Sequence, residues 1–271
     1  MSGDDTPRRW LSAKSIALSI SEPEDLQERG LSMEHLNDAF AELARQLLAL
    51  GAQLIYGGDI REGGYTELLF ELVARYGTRG EQGPSRPAVV NVLPYPVHAP
   101  LHKDAIFSLE ARFSEIGGLV YLGRRGEHLS REERLKQKAH IVKPAEWADF
   151  LTAMRTSVTE KSDARVLLGG RRDEYHGRMP GLLEEALISN ARQQPLFFVG
   201  GFGGITRDLA AYATIGSDFV APGSPERHRF TIQNGLKPDE LLRLARSPHI
   251  DEIAMLIVRG LGRMFAPGRQ G

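Results

Sequence analysis

Two apolar runs constrain the fold of this chain most, because each ends in glycines and each is followed by a helical pattern. They lie at 165–168 and 196–199, within the stretch 164–212. Short apolar runs bounded by glycine are typical of buried parallel strands. Glycine lets the backbone turn with positive φ, and the following helix offers unpaired N–H groups to an anion. The stretch therefore predicts two strand–turn–helix units that can hold a phosphate through the backbone.

A third unit of the same kind precedes them, where a strand pattern at 53–56 leads through glycines into a helix near Thr66. Strands that alternate with helical patterns predict an α/β, Rossmann-like fold, a mostly parallel sheet with helices on both faces. Ligands of such sheets bind at the carboxyl ends of the strands, near the point where the strand order reverses. We expect all three glycine turns at that edge.

The domain organisation follows from the length of 271 residues and the absence of a long linker. We expect a single domain over 14–271 that ends in a helical extension, preceded by a flexible lead-in over 1–13. The last helical pattern, 250–261, has a strong apolar stripe that can cover the core or a partner subunit. We therefore expect a homo-oligomer.

Composition excludes several classes of function. The 34 basic and 35 acidic residues give a net charge of −1, so no overall field attracts nucleic acid or an acidic membrane. The lack of cysteine removes disulfides and thiolate chemistry, and it fits a reducing compartment. No apolar run reaches the roughly 18 residues of a membrane helix, and the first ten residues lack the centre of a signal peptide. We expect a cytoplasmic protein without membrane or nucleic-acid partners.

Several standard motifs are incomplete or missing. The residues at 201–206 do not complete G-x-G-x-x-G, and neither the P-loop pattern nor the G-x-S-x-G elbow occurs. Hydride transfer, ATP hydrolysis on a P-loop and α/β-hydrolase chemistry are therefore disfavoured. His98 and His102 have a helical spacing, but Pro100 between them argues against the helix that would align them on a metal. We expect no metal site.

Three segments occur in an order that resembles the SLOG superfamily, Rossmann-like nucleotide-binding domains grouped with the Lonely Guy hydrolases and DNA-processing proteins. These segments are YGGDIREGGYT at 56–66, LLGGRRDEYHGRMPGLLEEAL at 167–187 and FVGGFGG at 198–204. The resemblance extends to about Ile215 and is greatest to the prokaryotic branch similar to the N-terminal region of TRPM cation channels. The resemblance implies binding of a nucleotide or nucleotide sugar. For that branch it implies binding of NAD-derived molecules, such as ADP-ribose or its cyclic forms.

The residues expected at the ligand are those of the glycine turns, with neighbouring polar and aromatic side chains. Arginine can fork onto phosphate oxygens, whereas Asp59 can accept from a ribose hydroxyl or tie its own turn. An aromatic ring there can stack on a base or pack inside. A nucleotide is the expected ligand, and no other cofactor is assigned. The expected ligand-binding residues are Ser19, Gly57, Gly58, Asp59, Arg61, Gly63, Gly64, Thr66, Gly169, Gly170, Arg171, Arg178, Gly181, Gly200, Gly201, Phe202, Gly203 and Gly204.

One departure from the family pattern bears on catalysis. Lonely Guy hydrolases carry P-G-G-x-G-T-x-x-E, whose glutamate serves the cleavage of an N-glycosidic bond. In the same register this chain has Val199 at the proline, Gly204 at the threonine and Arg207 at the glutamate. Binding is therefore favoured over hydrolysis.

Glu184 and Glu185 are the carboxylates that can substitute for the missing glutamate, because they lie in the first turns of the helix after Pro180. A carboxylate near the ring can act as an acid or stabilise a cation-like sugar. Either glutamate can instead be there for the helix dipole alone, or can bind ribose. Three hypotheses result: a nucleotide sensor that signals through an oligomer or an effector partner, a nucleotide N-glycoside hydrolase, and a scaffold whose glycines serve packing alone.

Overall fold

The structure is a computed structural model that describes residues 9–58, 60, 64–76, 86–113, 117–220 and 226–266. Within these residues, seven strands form one sheet in the order β5-β4-β3-β2-β1-β6-β7. All neighbouring strands pair in parallel, except that β5 runs antiparallel to β4. The strands are β1 (Ser15–Ser21), β2 (Gln53–Gly57), β3 (Val89–Leu93), β4 (Gly117–Leu122), β5 (His128–Leu129), β6 (Ala164–Gly169) and β7 (Leu196–Val199).

Helices cover both faces of this sheet, so the predicted α/β, Rossmann-like fold is confirmed. A separate antiparallel pair is formed by β8 (Phe219–Val220) and β9 (Arg227–His228). The helices are α1 (Met33–Ala49), α2 (Tyr65–Tyr76), α3 (Tyr95–His98), α4 (Lys103–Phe113), α5 (Arg131–Lys136), α6 (Trp147–Lys161), α7 (Gly181–Ala191), α8 (Gly204–Ile215), α9 (Pro238–Arg246) and α10 (Ile250–Phe265).

Alternate residues of β1 point to opposite faces, as the period of a strand requires. Ile16 and Leu18 belong to the larger core beneath α1 and α10, whereas Ala17 packs with Met154 and Val158 of α6 on the other face. Every one of these side chains is buried. The continuous apolar runs seen in the sequence follow from this arrangement, because a central strand must be apolar on both sides.

The apolar stripe of α10 is used inside this chain. Ile253, Ile257 and Leu261 are fully buried in the larger core, where α10 packs against α1. Burying side chains of this size contributes about 1.5–3 kcal/mol each. The stripe therefore covers the core, which is one of the two uses that the sequence left open.

The packed part of the chain also includes residues before 14. Leu11 is fully buried in the larger core, and its N–H donates to the Leu50 carbonyl at 3.0 Å. Trp10 packs against the same core. The segment at 9–13 thus helps to close the end of α1.

Helix α5, in a stretch dense with both charge signs, hides one of its arginines. Arg134 is fully buried, and its Nε donates to Nδ1 of His98 at 2.8 Å. Nε2 of the same ring donates to the Leu122 carbonyl at 2.8 Å. Burial, helped by the Arg134 charge and opposed by that carbonyl bond, lowers the pKa of His98 to about 4. His98 is thus a neutral acceptor that fastens α5 to α3.

No helix in the described part of the chain is both long and apolar enough to cross a membrane.

The strand order reverses between β1 and β6, which are neighbours although four strands separate them in the sequence. The helix after β1 lies on the face of α10, whereas α7, after β6, lies on the face of α6. The two connections therefore diverge outside the carboxyl ends of β1 and β6, and we call this place the β1–β6 crevice. In open α/β sheets this is where ligands bind.

Candidate functional site

The carboxyl edge of the sheet brings the predicted glycine turns together. Gly57 and Gly58 end β2, and Gly169 and Gly170 end β6, with β1 between the two strands. The third turn, 200–204, ends β7 next to β6. All three turns therefore lie at one edge, on both sides of the reversal of strand order.

The turn after β2 is held from below by a buried asparagine. Gly58 has a φ of +102°, a conformation that favours glycine, and its N–H donates to Oδ1 of Asn91 at 3.3 Å. Asn91 in turn donates from Nδ2 to Oγ1 of Thr66 at 3.1 Å, and both side chains are buried. Thr66 thus lies beneath the turn. Sequence reasoning missed Asn91, although a polar residue inside the apolar strand VVNVL is a signal for such a role.

The remaining predicted residues of this turn divide into two groups. Gly57 packs against Met154 of α6, and the Gly64 carbonyl accepts from the Leu68 N–H at 3.2 Å as α2 begins. The other three lie outside the described residues. They are Asp59, Arg61 and Gly63.

The turn after β6 is hydrogen-bonded to the end of β1 and to the start of α8. The Gly170 N–H donates to the Ser21 carbonyl at 2.8 Å, and the Gly170 carbonyl accepts from the Ile205 N–H at 2.9 Å. Gly169 lies against Ser21 and Pro23. The end of β1, the end of β6 and the start of α8 therefore form one hydrogen-bonded unit.

Two N–H groups of the turn after β7 donate to acceptors that belong to the protein itself. The Gly203 N–H donates to the Gly200 carbonyl at 3.1 Å, and the Gly204 N–H donates to Oδ1 of Asp25 at 2.8 Å. A carboxylate of the protein thus occupies the position at the start of α8 where a phosphate is expected.

Close packing accounts for other residues of this turn. A Cβ atom on Gly201 would clash with the Ser247 carbonyl, and one on Gly200 would clash with the Ala245 carbonyl. Phe202 is fully buried in the larger core and does not face the edge as a stacking surface. These residues join the turn to the end of α9.

Asp25 lies in an acidic loop, EPED, that directly follows β1. Burial alone would raise its pKa, but the bonds from the Gly204 N–H, Arg29 and Arg172 outweigh burial and hold the pKa below its ordinary value. Arg29 donates to Oδ2 at 3.1 Å, and Arg172 lies 3.4 Å from Oδ1. Arg172 also donates to Asp208 at 2.7 Å. Sequence reasoning assigned no role to Asp25, although the acidic residues of this loop directly follow β1.

Glu184 and Glu185 are held in a buried ion-pair cluster with Arg155 of α6 and Arg165 of β6. Glu184 accepts from Thr152 and from Arg155. Glu185 accepts from Arg165, and its other oxygen lies 3.8 Å from Nε of Arg155. The cluster lies between the sheet and the two helices α6 and α7, and its members engage each other.

Arg165 is the deepest member of this cluster and is fully buried. Burial lowers its pKa, whereas the Glu185 charge opposes that shift. It donates at 2.9 Å to Ser189 and to Thr159, and at 2.7 Å to Ser19. Ser19, which also donates to Glu185, is thus buried beneath α7 rather than exposed at the crevice.

Gly181, the first residue of α7, lies against the guanidinium of Arg155. A Cβ atom at Gly181 would be 2.8 Å from NH2 of Arg155, and one at Gly177 would be 3.0 Å from NH1. Nε of Arg155 is buried and has no hydrogen-bond partner in the part of the chain that the structure describes. The loop at 171–180 therefore forms a close cover over Arg155.

Arg171 and Arg178 stand on the outside of this loop. Arg178 pairs with Asp149, and Arg171 lies 3.5 Å from Glu174, in both cases with well-exposed side chains. Exposed pairs of this kind contribute about 0–1 kcal/mol. Both guanidinium groups can therefore exchange their partner for a ligand at little cost.

Within the described ranges, no three His, Asp or Glu side chains are grouped so that they could hold a metal ion. Asp25 is instead paired with Arg29, Arg172 and the Gly204 N–H, and Glu185 is paired with Arg165.

Comparison with known proteins covers the same part of the fold. A family model described as SLOG cluster2 matches residues 10–218, well over half of the chain, and so includes β1 to α8 with all three turns. That description does not name the TRPM-like branch, which stays a prediction. A search among curated proteins gave no match. The SLOG superfamily is associated with nucleotide-related binding or glycosidase-like function. With the fold and the match in agreement, the chain belongs to the SLOG superfamily.

Proposed function

We propose that this protein binds a nucleotide or an NAD-derived nucleotide sugar, of the ADP-ribose or cyclic ADP-ribose type, and acts as its sensor. The observation that carries the proposal is the grouping of the glycine turns at the carboxyl edge of one parallel sheet, on both sides of β1. A ligand in the crevice outside β1 and β6 lies within reach of the turns after β2 and β6. The family match supports a nucleotide-related ligand.

Arg178, and Arg171 beside it, are proposed to hold the phosphate groups. Their present partners are exposed carboxylates, so the exchange of a weak surface pair for a forked bond to phosphate is favourable. Asp59 and Arg61, which lie outside the described residues, remain predicted ligand contacts.

Binding without turnover is supported by the state of the two candidate catalytic residues. Glu184 accepts from Thr152 and Arg155, and Glu185 accepts from Ser19 and Arg165. A general acid must reach the leaving group by a hydrogen bond. These carboxylates are committed to the interior instead, so an N-glycoside hydrolase is the weaker alternative.

A thermal-shift panel of AMP, NAD, ADP-ribose and cyclic ADP-ribose, run beside chromatography for released base, tests both functions. We expect at least one nucleotide to raise the melting temperature by several degrees without base release, because a tight ligand stabilises the folded state. Arg178→Gln should weaken that shift. Arg192→Gln is the matched control, because Arg192 forms a similarly exposed pair with Glu160 near the far end of α7.

Two results would change this conclusion. Base release that is abolished by Glu184→Gln would establish the hydrolase. The lack of any shift at millimolar nucleotide would reject both functions.

A sensor also needs an output, which we propose passes through a homo-oligomer or an effector partner in the cytoplasm. Light scattering with and without the nucleotide that gives the largest shift tests the first route. A ligand-dependent change in mass is the expected result.

A further inference from the structure

A cleft of about 420 Å³ opens beside the turn after β7 and the loop that carries Asp25. Its volume falls in the range of about 300–1,000 Å³ that small-molecule sites occupy. We name it the Arg207 cleft. Its lining includes Asp25, Glu28, Arg29, Gly201, Arg207 and Arg246.

Three backbone N–H groups at this corner are already engaged. Those of Gly203, Gly204 and Ile205 donate to Gly200, Asp25 and Gly170 respectively. We therefore look to side chains for the groups that would hold an anion here.

The arginines near the cleft differ in their partners. Arg29 pairs with Asp25, and Arg172 pairs with Asp208 and Asp25. Arg207 and Arg246 are exposed, and among the described residues neither guanidinium has a hydrogen-bond or ion-pair partner. Both retain their full set of donors.

The helix dipole disfavours a positive charge at the position of Arg207. This residue lies in the first turn of α8, where the positive end of the helix dipole disfavours a cation. Arg246 differs, since it lies in the last turn of α9, where the dipole favours a cation. An anionic ligand in the cleft would offset the cost at Arg207.

The side chains of the cleft carry a small net positive charge. Asp25 is already engaged by Arg29, Arg172 and the Gly204 N–H. Glu28 is exposed and has no partner among the described residues, so it opposes the two free arginines. Two cations against one carboxylate suit a small anion of high charge.

We propose that the Arg207 cleft binds a phosphoryl or diphosphoryl group, held by Arg207 and Arg246. Arg207 stands in the register where the resembling hydrolases carry glutamate, so the side chain that would serve a cation-like sugar is replaced by one that serves phosphate. The inference rests on the proposed nucleotide-binding function, and it assigns to this cleft a second phosphate position, apart from the one proposed for Arg178 and Arg171.

Calorimetry with inorganic pyrophosphate and with ADP-ribose tests the assignment on the full chain. The double substitution Arg207→Gln and Arg246→Gln should weaken pyrophosphate binding at least about tenfold, because two charge-assisted pairs are lost. Glu28→Gln should strengthen it, since the opposing charge is removed. Arg125→Gln is the matched control, because it removes an exposed arginine charge from the loop between β4 and β5. Each variant is first checked for an unchanged melting temperature.

The outcomes separate this inference from the function on which it rests. Pyrophosphate binding that is lost in the double variant, with no nucleotide bound by any protein, would keep the cleft and reject the nucleotide sensor. Pyrophosphate binding that is equal in the wild type and the double variant would reject the cleft and leave the sensor standing. If pyrophosphate does not bind the wild type at millimolar concentration, the cleft assignment fails.

Discussion

The turns after β6 and β7 follow the same glycine pattern in the sequence, yet the folded chain uses them in opposite ways. After β6, the acidic side chains of α7 turn inward to Arg155 and Arg165, and the loop above them carries exposed arginines. After β7, Asp25 accepts from the backbone N–H of Gly204, and the two arginines of the Arg207 cleft, which have no partner among the described residues, are exposed. A glycine pattern thus locates a turn, but it does not tell whether the N–H groups of that turn are free.

The largest effect is expected on the β6 side, at the buried ion-pair cluster. Glu185→Ala removes the carboxylate that Arg165 faces and leaves a buried cation without its counter-charge. Loss of one partner of a buried pair costs about 3–5 kcal/mol. Urea denaturation should report a loss of that size in the free energy of unfolding.

A double variant shows whether this loss comes from the unpaired charge. Arg165→Met combined with Glu185→Leu should recover part of it, since an apolar pair of similar volume replaces a buried ion pair at little cost. If Glu185→Ala alone were as stable as the wild type, the cluster would not be structural, and the hydrolase would gain support.

The next effect tests the closed packing on the β7 side. Gly204 has a φ of +63°, and a Cβ atom there would clash with the Gly170 carbonyl. Gly204→Ala should therefore cost about 2–4 kcal/mol through backbone strain and overpacking. Thermal unfolding of the variant measures the loss.

Gly58→Ala provides the matched control for this substitution. Its φ is also positive, but a Cβ atom there would meet its nearest neighbour, the side chain of Met154, at 3.7 Å. Only the conformational cost of about 1–2 kcal/mol should remain. Equal losses at the two glycines would contradict the difference in packing, which is tight around Gly204 and loose around Gly58.

A smaller effect is expected for Asp25→Asn, which keeps the shape of the side chain but removes its charge from Arg29 and Arg172. Loss of charge-assisted bonds should cost about 1–2 kcal/mol at neutral pH. The folded-state pKa of Asp25 lies below its ordinary value of 3.8, so its stabilisation is present above that pH and is lost as the pH falls further.

Unfolding free energies measured from pH 7 down to pH 3 check this assignment. The wild type and Asp25→Asn should differ most at neutral pH and should converge in acid. A difference that stays constant over the whole range would mean that the Asp25 charge does not stabilise the turn.

The smallest effect on stability is expected at the Arg207 cleft. Arg207→Gln removes no hydrogen bond or ion pair within the described residues, so the free energy of unfolding should change by less than about 0.5 kcal/mol. Thermal unfolding in phosphate-free buffer measures it. A loss of several kcal/mol would show that Arg207 has a structural partner, and the ligand assignment would then lack its basis.

The sequence predicts the sheet, the glycine turns and the position of the crevice, because these follow from local periodicity and from backbone conformation. It does not predict the partners of Glu185. Those are Arg165 on β6 and Ser19 on β1, whereas Glu185 is on α7, and only the folded topology brings them together. Arg165 stands at the start of an apolar run, and nothing local indicates that its charge would be buried there with a carboxylate.

The role of Asp25 in the acidic loop after β1 was missed for a related reason. An Asp or Glu in a loop is usually solvated, and the donor that Asp25 meets lies far along the chain, at the start of α8. The sequence could identify Gly204 as a backbone donor but could not tell that the protein itself supplies the acceptor.

The contact of Gly200 and Gly201 with the carbonyls at the end of α9 bears on where this protein can be cut. The family match ends at residue 218, whereas Ala245 and Ser247, which wall the turn after β7, lie beyond it. The buried stripe of α10 lies beyond it as well. A recombinant fragment trimmed to the family segment would therefore lose the residues that pack against the turn after β7. It would also expose the apolar face of α1. A shortened chain that keeps this packing has to extend through Phe265.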